Sequence, residues 1–269
     1  MKFQFDHVVH YVTDPNEMIG EFKTHGLHAV EGGQHVNSGT YNSLCYFGLS
    51  YIEFLGTYDR ELVLNGAHPR NSLHASIVEQ QFNEGFMRFA LRTVQMESAA
   101  THFRRLGLEV HGPYPLSRKR PDGKVLEWDL LFIGDGGNLN LPFIIQWKES
   151  DEERRRDLIN QGSLLPHPAD VQLSHLSIAV QDAQATAKKW QKYFGGKLGS
   201  LYEDKDLQAS CLTLELDGGT LLFCSPLNVG NGQDYLEQKG EKPFKLTLNS
   251  PLTEDTFTVH GGHYVIAKQ

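Results

Sequence analysis

The stretch that decides the fold is Asp6-His7-Val8-Val9-His10-Tyr11-Val12-Thr13-Asp14, which recurs in altered form as Ser174-His175-Leu176-Ser177-Ile178-Ala179-Val180-Gln181-Asp182. In each copy a histidine opens an apolar run typical of a strand, and an Asp follows that can cap a helix. Each predicted helix then runs into a Gly, a residue that commonly ends helices. The pattern indicates an internal repeat, and it puts a candidate metal ligand at the same place in each copy.

Working outward from residue 7, the first module is predicted as a strand, a helix and three further strands. The strand covers residues 3–12, the helix ends at Gly26, and glycines punctuate three strand-like runs within residues 27–58. The same order recurs over residues 86–147, where a Pro121-Asp122-Gly123 turn joins two strands. Two complete copies of one module are therefore expected in this part of the chain.

A third module begins at His175 and continues with a helix over residues 183–194. Its predicted strands include residues 211–216 and 220–224. The remaining segment, 240–269, contains only two or three strand-like runs and no helical pattern. A fourth module in this segment would therefore be shortened and would lack its helix.

The two halves are joined by a charged segment. Residues 149–162 have a helical pattern with opposite-sign pairs four residues apart, such as Glu152 and Arg156, which favours a solvated linker helix. Pro166-His167-Pro168 then marks the join. We expect residues 1–150 to form a module pair with the candidate site, residues 151–168 a linker, and residues 169–269 a degenerate second pair.

Net charge and hydropathy argue against two classes of partner, nucleic acids and membranes. The formal net charge of −8 argues against a nucleic-acid surface, because phosphate binding needs concentrated positive charge. No segment approaches the roughly 18 apolar residues of a membrane span, and no signal-peptide pattern precedes the first strand. The three cysteines are odd in number and lack metal-ligand spacing, which predicts reduced, buried thiols. A cytoplasmic protein is expected.

Paired modules of this kind resemble the vicinal oxygen chelate (glyoxalase, bleomycin resistance and extradiol dioxygenase) superfamily, and within it the glyoxalase-like domain family. The matching residues are Asp6-His7, Gly32-Gly33-Gln34-His35, Gly39-Thr40-Tyr41-Asn42, Tyr51-Ile52-Glu53, Ala90-Leu91-Arg92-Thr93, Arg120-Pro121-Asp122-Gly123, Trp128 and Leu141-Pro142-Phe143-Ile144-Ile145-Gln146-Trp147. The resemblance implies an α+β fold of βαβββ modules paired into cupped mixed sheets, with one full pair and a degenerate second pair.

In that superfamily, His or Glu side chains from the first and last strands of two modules hold a divalent metal that stabilises an enolate or oxyanion. The resemblance implies that His7 and Glu53 are such ligands. A glutamate inside the apolar run 51–55 is out of place unless it faces a cavity or a partner. An exposed glutamate on a strand with one solvated face is the alternative that stays open.

His35, in a Gly-flanked loop, could complete a set of two histidines and one carboxylate, which suits iron, zinc, manganese or nickel. The alternative for His35 is a loop histidine bonded to nearby backbone. In the second module the ligand positions fall on Arg88 and on Gln146, or on Ile145 if the register slips by one residue. Because an arginine cannot ligate a metal, the usual set of four ligands is broken.

The third module keeps His175 but has Phe223 where the first module has Glu53. With no acid opposite, His175 is expected to be a strand-end histidine and not a ligand. The second half is therefore interpreted as a scaffold or cover for the first.

Five residues are expected to contact a substrate in the cup: Arg88, Arg92, Asn42, Gln146 and Trp128. Arginine side chains could hold a carboxylate or phosphate through paired hydrogen bonds. For Arg118 and Arg120, which lie beside the Pro-Asp-Gly turn, solvated side chains are the favoured interpretation.

Two functional hypotheses follow. In the first, the cup binds a small oxygen-rich metabolite and a divalent metal, and the chemistry is that of a lyase, isomerase or dioxygenase, with Glu53 as a proton acceptor. In the second, the protein binds or sequesters a small molecule without metal or catalysis. Arg88 and Gln146 at ligand positions favour the second. A homodimer through exposed sheet edges is expected in either case.

Overall fold

A computed structural model describes residues 1–66, 68–137, 139–227, 236–237 and 239–269. Both predicted modules of the first half are present, each as a strand, a helix and three strands. The first consists of β1 (Gln4–Tyr11), α1 (Glu17–Thr24), β2 (Ala29–His35), β3 (Thr40–Phe47) and β4 (Ser50–Thr57). The second consists of β5 (Gly85–Arg92), α4 (Met96–Arg105), β6 (Glu109–Lys119), β7 (Val125–Gly134) and β8 (Phe143–Trp147).

Two short helices that the sequence pattern did not reveal lie between these modules, α2 (Arg60–Asn65) and α3 (Leu73–Glu79). Each begins at a residue whose side chain accepts a hydrogen bond from the first turn, Asp59 for α2 and Ser72 for α3. Both helices have fewer than eight residues, which explains why no helical period is visible in the sequence.

The two modules close into one eight-stranded barrel in the order β1-β4-β3-β2-β6-β7-β8-β5. Strand β1 runs parallel to β4 and antiparallel to β5, so His7 is paired with Tyr51 on one side and with Ala90 on the other. The expected α+β modules are confirmed, and the first pair forms a closed barrel where a cupped sheet was predicted. A barrel encloses an interior that side chains from every strand can reach.

The seam that closes the barrel is short, because β2 and β6 pair only at Gln34 with Lys119 and at His35 with Arg118. Gly33 makes this approach possible. Its φ of +127° is one that other residues rarely adopt, and a Cβ there would lie 2.1 Å from the carbonyl oxygen of Lys119. The seam brings His35 and Arg118 next to each other.

The second half forms an open sheet in the order β10-β12-β13-β9-β14-β16-β15, with β11 paired to β12. Its elements are β9 (Gln172–Ala179), α6 (Ala183–Phe194), β10 (Lys197–Leu198), β11 (Tyr202–Asp204), β12 (Ala209–Leu216), β13 (Gly219–Pro226), β14 (Lys242–Ser250), β15 (Asp255–Val259) and β16 (Gly262–Lys268). Only four residues separate β14 from β15, so the last module lacks the helix between its first two strands, as predicted.

One hydrophobic core joins the two halves. The ring of Phe22 on α1 lies 5.1 Å from that of Tyr264 on β16. His10 is also buried here: the Tyr264 hydroxyl donates to its Nδ1 at 2.6 Å, and its Nε2 donates to the carbonyl of His260 at 2.8 Å. Burial lowers the pKa of His10 to about 4, so it is neutral. The division of the chain into domains at residues 150 and 169 stays a prediction.

The segment joining the halves forms α5 (Asp151–Asn160), which begins with a Ser150–Glu153 capping box. The expectation of a wholly solvated helix is wrong. Leu158 is buried against tyrosine and leucine side chains of β3, β4 and the turn between them, and Arg154 is buried over the ring of Trp147 at 4.0 Å. These two residues are four apart and therefore share the face that packs on the barrel.

All three cysteines are free and buried, as predicted. The longest helix described, α6, has 12 residues, and no helix in the described ranges is long and apolar enough to cross a membrane.

Candidate functional site

The barrel interior contains a cavity of about 660 Å³, counting the part open to solvent. Most of the lining is apolar or aromatic, including Trp128 and Trp147, and α3 contributes Leu73, His74 and Ile77. The polar lining groups are concentrated where β1, β3 and β4 meet the β2–β6 seam. This cavity is the candidate site.

His7 and Glu53 both face the cavity, as the alternation along β1 and β4 predicted. His7 Nε2 lies 3.4 Å from Glu53 Oε2, and its Nδ1 lies 2.6 Å from Asp6 Oδ1. The ring also stacks on Tyr51 at 4.6 Å between centroids. His7 is therefore held between two carboxylates.

Asp6 is fully buried behind His7 and has further partners. It accepts a hydrogen bond from Trp147 Nε1 at 3.1 Å and lies 3.8 Å from Arg154 Nη1 on α5. Burial raises the pKa of Asp6, but the hydrogen bond to His7 and the arginine charges outweigh it and lower the pKa. This role of Asp6 was not predicted from the sequence, although an acid in an apolar strand is a signal of the same kind as Glu53.

Asp6, His7 and Glu53 form an array whose charges follow from its contacts. Burial lowers the pKa of His7, but Asp6 and Glu53 outweigh that effect and raise it to about 9. Burial raises the pKa of Glu53, but the hydrogen bond and charge of His7, with His35 and Asn42, lower it to about 2. At neutral pH the array therefore contains an imidazolium between two ionised carboxylates.

His35 and Asn42 complete the polar cluster. His35 Nε2 lies 3.6 Å from Glu53 Oε1, and its Nδ1 lies 2.9 Å from Thr40 Oγ1. Asn42 Nδ2 donates to Glu53 Oε1 at 2.5 Å. Asn42 fits because residue 32 is a glycine: a Cβ there would lie 2.1 Å from Asn42 Oδ1. The expected contacts of Asn42 and Trp128 with a ligand stay a prediction, but both residues line the cavity.

The residues grouped as metal ligands, His7, Glu53 and His35, do lie together. Among the described residues, however, no group of three or more His, Cys, Asp or Glu side chains is arranged to hold a metal ion. The N–H groups of His7 and Asn42 face the Glu53 carboxylate, and the guanidinium of Arg118 adds a fixed positive charge to the lining. In this arrangement the site suits an anion or a partly negative oxygen better than a metal cation.

The second module contributes no ligand in the register that the structure shows. Ala90 is paired with His7, and Ile145 faces the cavity where a carboxylate would stand. Gln146 points away, and its amide oxygen accepts from the backbone N–H of Met96 at the start of α4 at 2.8 Å. The register that places Ile145 inside is the correct one, and the expectation that Gln146 contacts substrate is wrong.

Two arginines expected to contact substrate also lie outside the cavity lining. Arg88 is fully buried and donates to the backbone carbonyls of Asn71 and Leu141. Arg92 donates to the carbonyl of Phe5 at 2.8 Å and faces Asp151 on α5 at 3.4 Å. Both side chains hold loops and strands together, which corrects the sequence-based assignment.

Arg118 lines the cavity where Arg88 and Arg92 were expected. The interpretation of Arg118 as a solvated turn residue is wrong, because its side chain is buried and lines the cavity. Its Nη1 donates to Asn42 Oδ1 at 3.2 Å. The signal that could have found it is the β2–β6 pairing, which aligns Arg118 with His35 but joins segments about eighty residues apart.

Arg120 is likewise buried. It pairs with Asp157 at 2.5 Å and Asp122 at 2.6 Å. In the third module His175 is partly buried, with Nδ1 3.0 Å from Ser174 Oγ, and Phe223 lies in the shared core.

Comparison with known proteins agrees with this architecture. The family model of the glyoxalase-like domain matches residues 5–194. The crystal structure of a hypothetical protein from Staphylococcus aureus is 21% identical and superimposes with a TM-score of 0.81, covering 99% of this chain and 100% of its own. A mutant 4-hydroxymandelate synthase from Streptomyces coelicolor is 14% identical with a TM-score of 0.55, covering 95% of this chain and 72% of its own.

Methylmalonyl-CoA epimerase from Mycobacterium tuberculosis is 16% identical, with a TM-score of 0.39 over 56% of this chain and 91% of its own. A search of curated proteins finds no match. The likenesses to solved structures above a TM-score of 0.5 confirm the predicted fold.

Proposed function

Because this chain belongs to the glyoxalase-like domain family of the vicinal oxygen chelate superfamily, we propose that its barrel binds a small oxygen-bearing metabolite and that Glu53 exchanges a proton with it. The observation that carries the proposal is the Asp6–His7–Glu53 array, of which His7 and Glu53 line a mostly apolar cavity. A buried carboxylate and a buried imidazolium in one cleft are groups that acid–base catalysis uses.

The proposed chemistry is removal of a proton from a carbon next to a carbonyl. His7 is the donor that stabilises the oxygen on which negative charge develops. When a ligand oxygen approaches the Nε2–H of His7, Glu53 no longer has that donor to itself, and its pKa rises toward the range of a useful base. Asp6 keeps His7 protonated and fixes the ring orientation throughout.

A second candidate function is binding without catalysis. The aromatic and aliphatic lining, with Trp128, Trp147 and Phe143, supports it, because such surfaces bind small molecules through apolar contacts alone. The array would then serve only to orient the ligand.

Proton exchange separates the two candidates. A panel of small ketones, hydroxyketones and 2-oxo acids is incubated with the protein in deuterated water, and loss of the signal of the C–H next to the carbonyl is followed by NMR. Glu53→Gln should slow exchange about 100-fold or more while leaving ligand binding in place. Glu127→Gln is the matched control, because Glu127 lies on β7 with an exposed side chain.

Exchange that persists in Glu53→Gln would overturn the assignment of the base. A ligand that binds without any exchange would favour sequestration. The metal-dependent version of this function is tested by elemental analysis of protein purified without chelator. Near-stoichiometric metal that disappears in His7→Ala and Glu53→Ala would contradict the metal-free proposal.

A further inference from the structure

Arg118 carries a charge that the protein itself leaves without an ion-pair partner. Its side chain is buried, with 4% of the residue exposed, yet within the described ranges no carboxylate lies within 4.0 Å of it. Its hydrogen bond goes to a neutral amide, Asn42 Oδ1, and its Nε is buried without a partner. A buried charge in this condition is costly unless something else compensates it.

The other arginines near the barrel are compensated. Arg120 has two aspartates, Arg92 faces Asp151, and Arg154 lies near Asp6 and over an aromatic ring. Arg88 has no ion pair in the described residues, but it donates to two backbone carbonyls and does not line the cavity. Arg118 differs from all of these because its side chain lines the barrel cavity, where a ligand could reach it.

We propose that Arg118 is the anion-binding residue of this cavity and that the ligand it binds is a small carboxylate. This inference rests on the proposed function, since it supplies the substrate class for the same cavity. The guanidinium presents paired N–H donors in the geometry that a carboxylate accepts. Glu53 already has His7 as its ion-pair partner, so the charge of Arg118 is the one left for a ligand.

The position of the proposed anion site relative to Glu53 also constrains the ligand. Asn42 connects the two groups, since its Oδ1 accepts from Arg118 at 3.2 Å and its Nδ2 donates to Glu53 at 2.5 Å. One amide side chain therefore separates the anion site from the proton acceptor. A carboxylate on Arg118 would place the first carbons beyond it beside Glu53, while the apolar lining would accept the remaining chain.

The test uses matched ligands that differ only in charge: butyrate with butyramide and hexanoate with hexanamide, titrated by NMR at neutral pH. We expect the carboxylates to bind at least about tenfold more tightly than the amides. Arg118→Met should weaken carboxylate binding roughly 30-fold or more and leave amide binding within about threefold. Arg118→Lys keeps the charge without the planar fork and should fall between the wild type and Arg118→Met.

Arg120→Gln is the matched control, because Arg120 lies two residues away, is paired with Asp122 and Asp157, and does not line the cavity. It should bind both ligand series as the wild type does. Thermal unfolding of the ligand-free variants distinguishes ligand binding from a structural role. If Arg118 had a structural role, Arg118→Met would be less stable than the wild type. Arg118→Met should be as stable as the wild type or more stable, because it removes an uncompensated buried charge.

Equal binding of amides and carboxylates, unchanged carboxylate affinity in both Arg118 variants, or no binding of any carboxylate at millimolar concentration would overturn the inference. Tighter binding of methyl phosphate than of either carboxylate would overturn the choice of anion. Failure of the proposed function looks different: carboxylates would bind through Arg118, but no ligand would exchange its proton at Glu53.

Discussion

Raising the pH above neutrality should remove the stabilising contribution of one residue, His7. Its pKa is raised from 6.5 to about 9 because Asp6 and Glu53 outweigh the effect of burial. The folded state therefore binds a proton at His7 that the unfolded chain releases near pH 6.5. The shift corresponds to about 3 kcal/mol of unfolding free energy, fully present below the unfolded pKa and lost as the pH rises through the folded one.

Between about pH 6.5 and about pH 8.5 the expected loss is about 2 kcal/mol, since part of the proton is still bound at the upper limit. Histidines whose pKa values are lowered by burial act in the opposite direction, because in the unfolded chain they still release protons in this window: His10, His35, His74, His167, His175 and His263. Each adds up to about 0.4 kcal/mol of stability across the window, so the contribution of His7 is measured as the difference between the wild type and a His7 variant. Burial raises the pKa of Cys45 so far that its effect begins only above the window, where the unfolded thiol ionises.

The assay is urea unfolding followed by tryptophan fluorescence at several pH values across the window. The unfolding free energy of the wild type minus that of His7→Gln should fall by about 2 kcal/mol across the window, whatever the absolute stability of either protein. The same pH dependence in both proteins would show that His7 is not held as an imidazolium and would refute this reasoning.

Three further predictions concern residues around the site and the core. Asp6→Asn should lower the pKa of His7, seen as a shifted imidazole titration by NMR, and cost about 3 kcal/mol in chemical denaturation; an unchanged titration would contradict the assigned pairing. Leu158→Ala on α5 should cost about 2–4 kcal/mol by the same method, whereas Ile159→Ala, at an exposed position, should stay within about 0.5 kcal/mol; equal effects would argue against packing of α5 on the barrel. Tyr264→Phe should cost about 1–3 kcal/mol, because the buried histidine it contacts loses its hydrogen-bond donor; no change would show that the bond is not needed.

The modules were predictable because their signals are local. A strand followed by a helix and a Gly can be recognised within about twenty residues, and each of the three predicted module helices appears in the structure close to the expected range. Of the two predicted aspartate caps, Asp182 caps α6, whereas α1 begins after Asn16 without a side-chain cap. His7 and Glu53 were predictable for a related reason, since side chains alternate along a strand whatever its partners are.

The register of the strands was harder to predict than the order of the elements. Aligning the helices of the two modules placed Arg88 and Gln146 in the cup. A shift of one residue, however, moves every side chain of a strand to the other side of the sheet, and in the structure Ile145 lines the cavity. The position of Arg118 in the cavity depends on the pairing of β2 with β6, which no local sequence pattern reveals. Charge density misled the interpretation of α5, because only the face with Arg154 and Leu158 is buried.

The core shared by the two halves gives the second half a structural role. Helix α1, His10 and the outer face of β5 are covered by residues from the second half, and residue 262 must stay a glycine because a Cβ there would lie 2.6 Å from the His10 ring. A chain shortened to its first half would present this apolar surface to water and would be expected to aggregate. The second half is therefore needed as a cover for the outside of the barrel, whether or not it binds a ligand of its own.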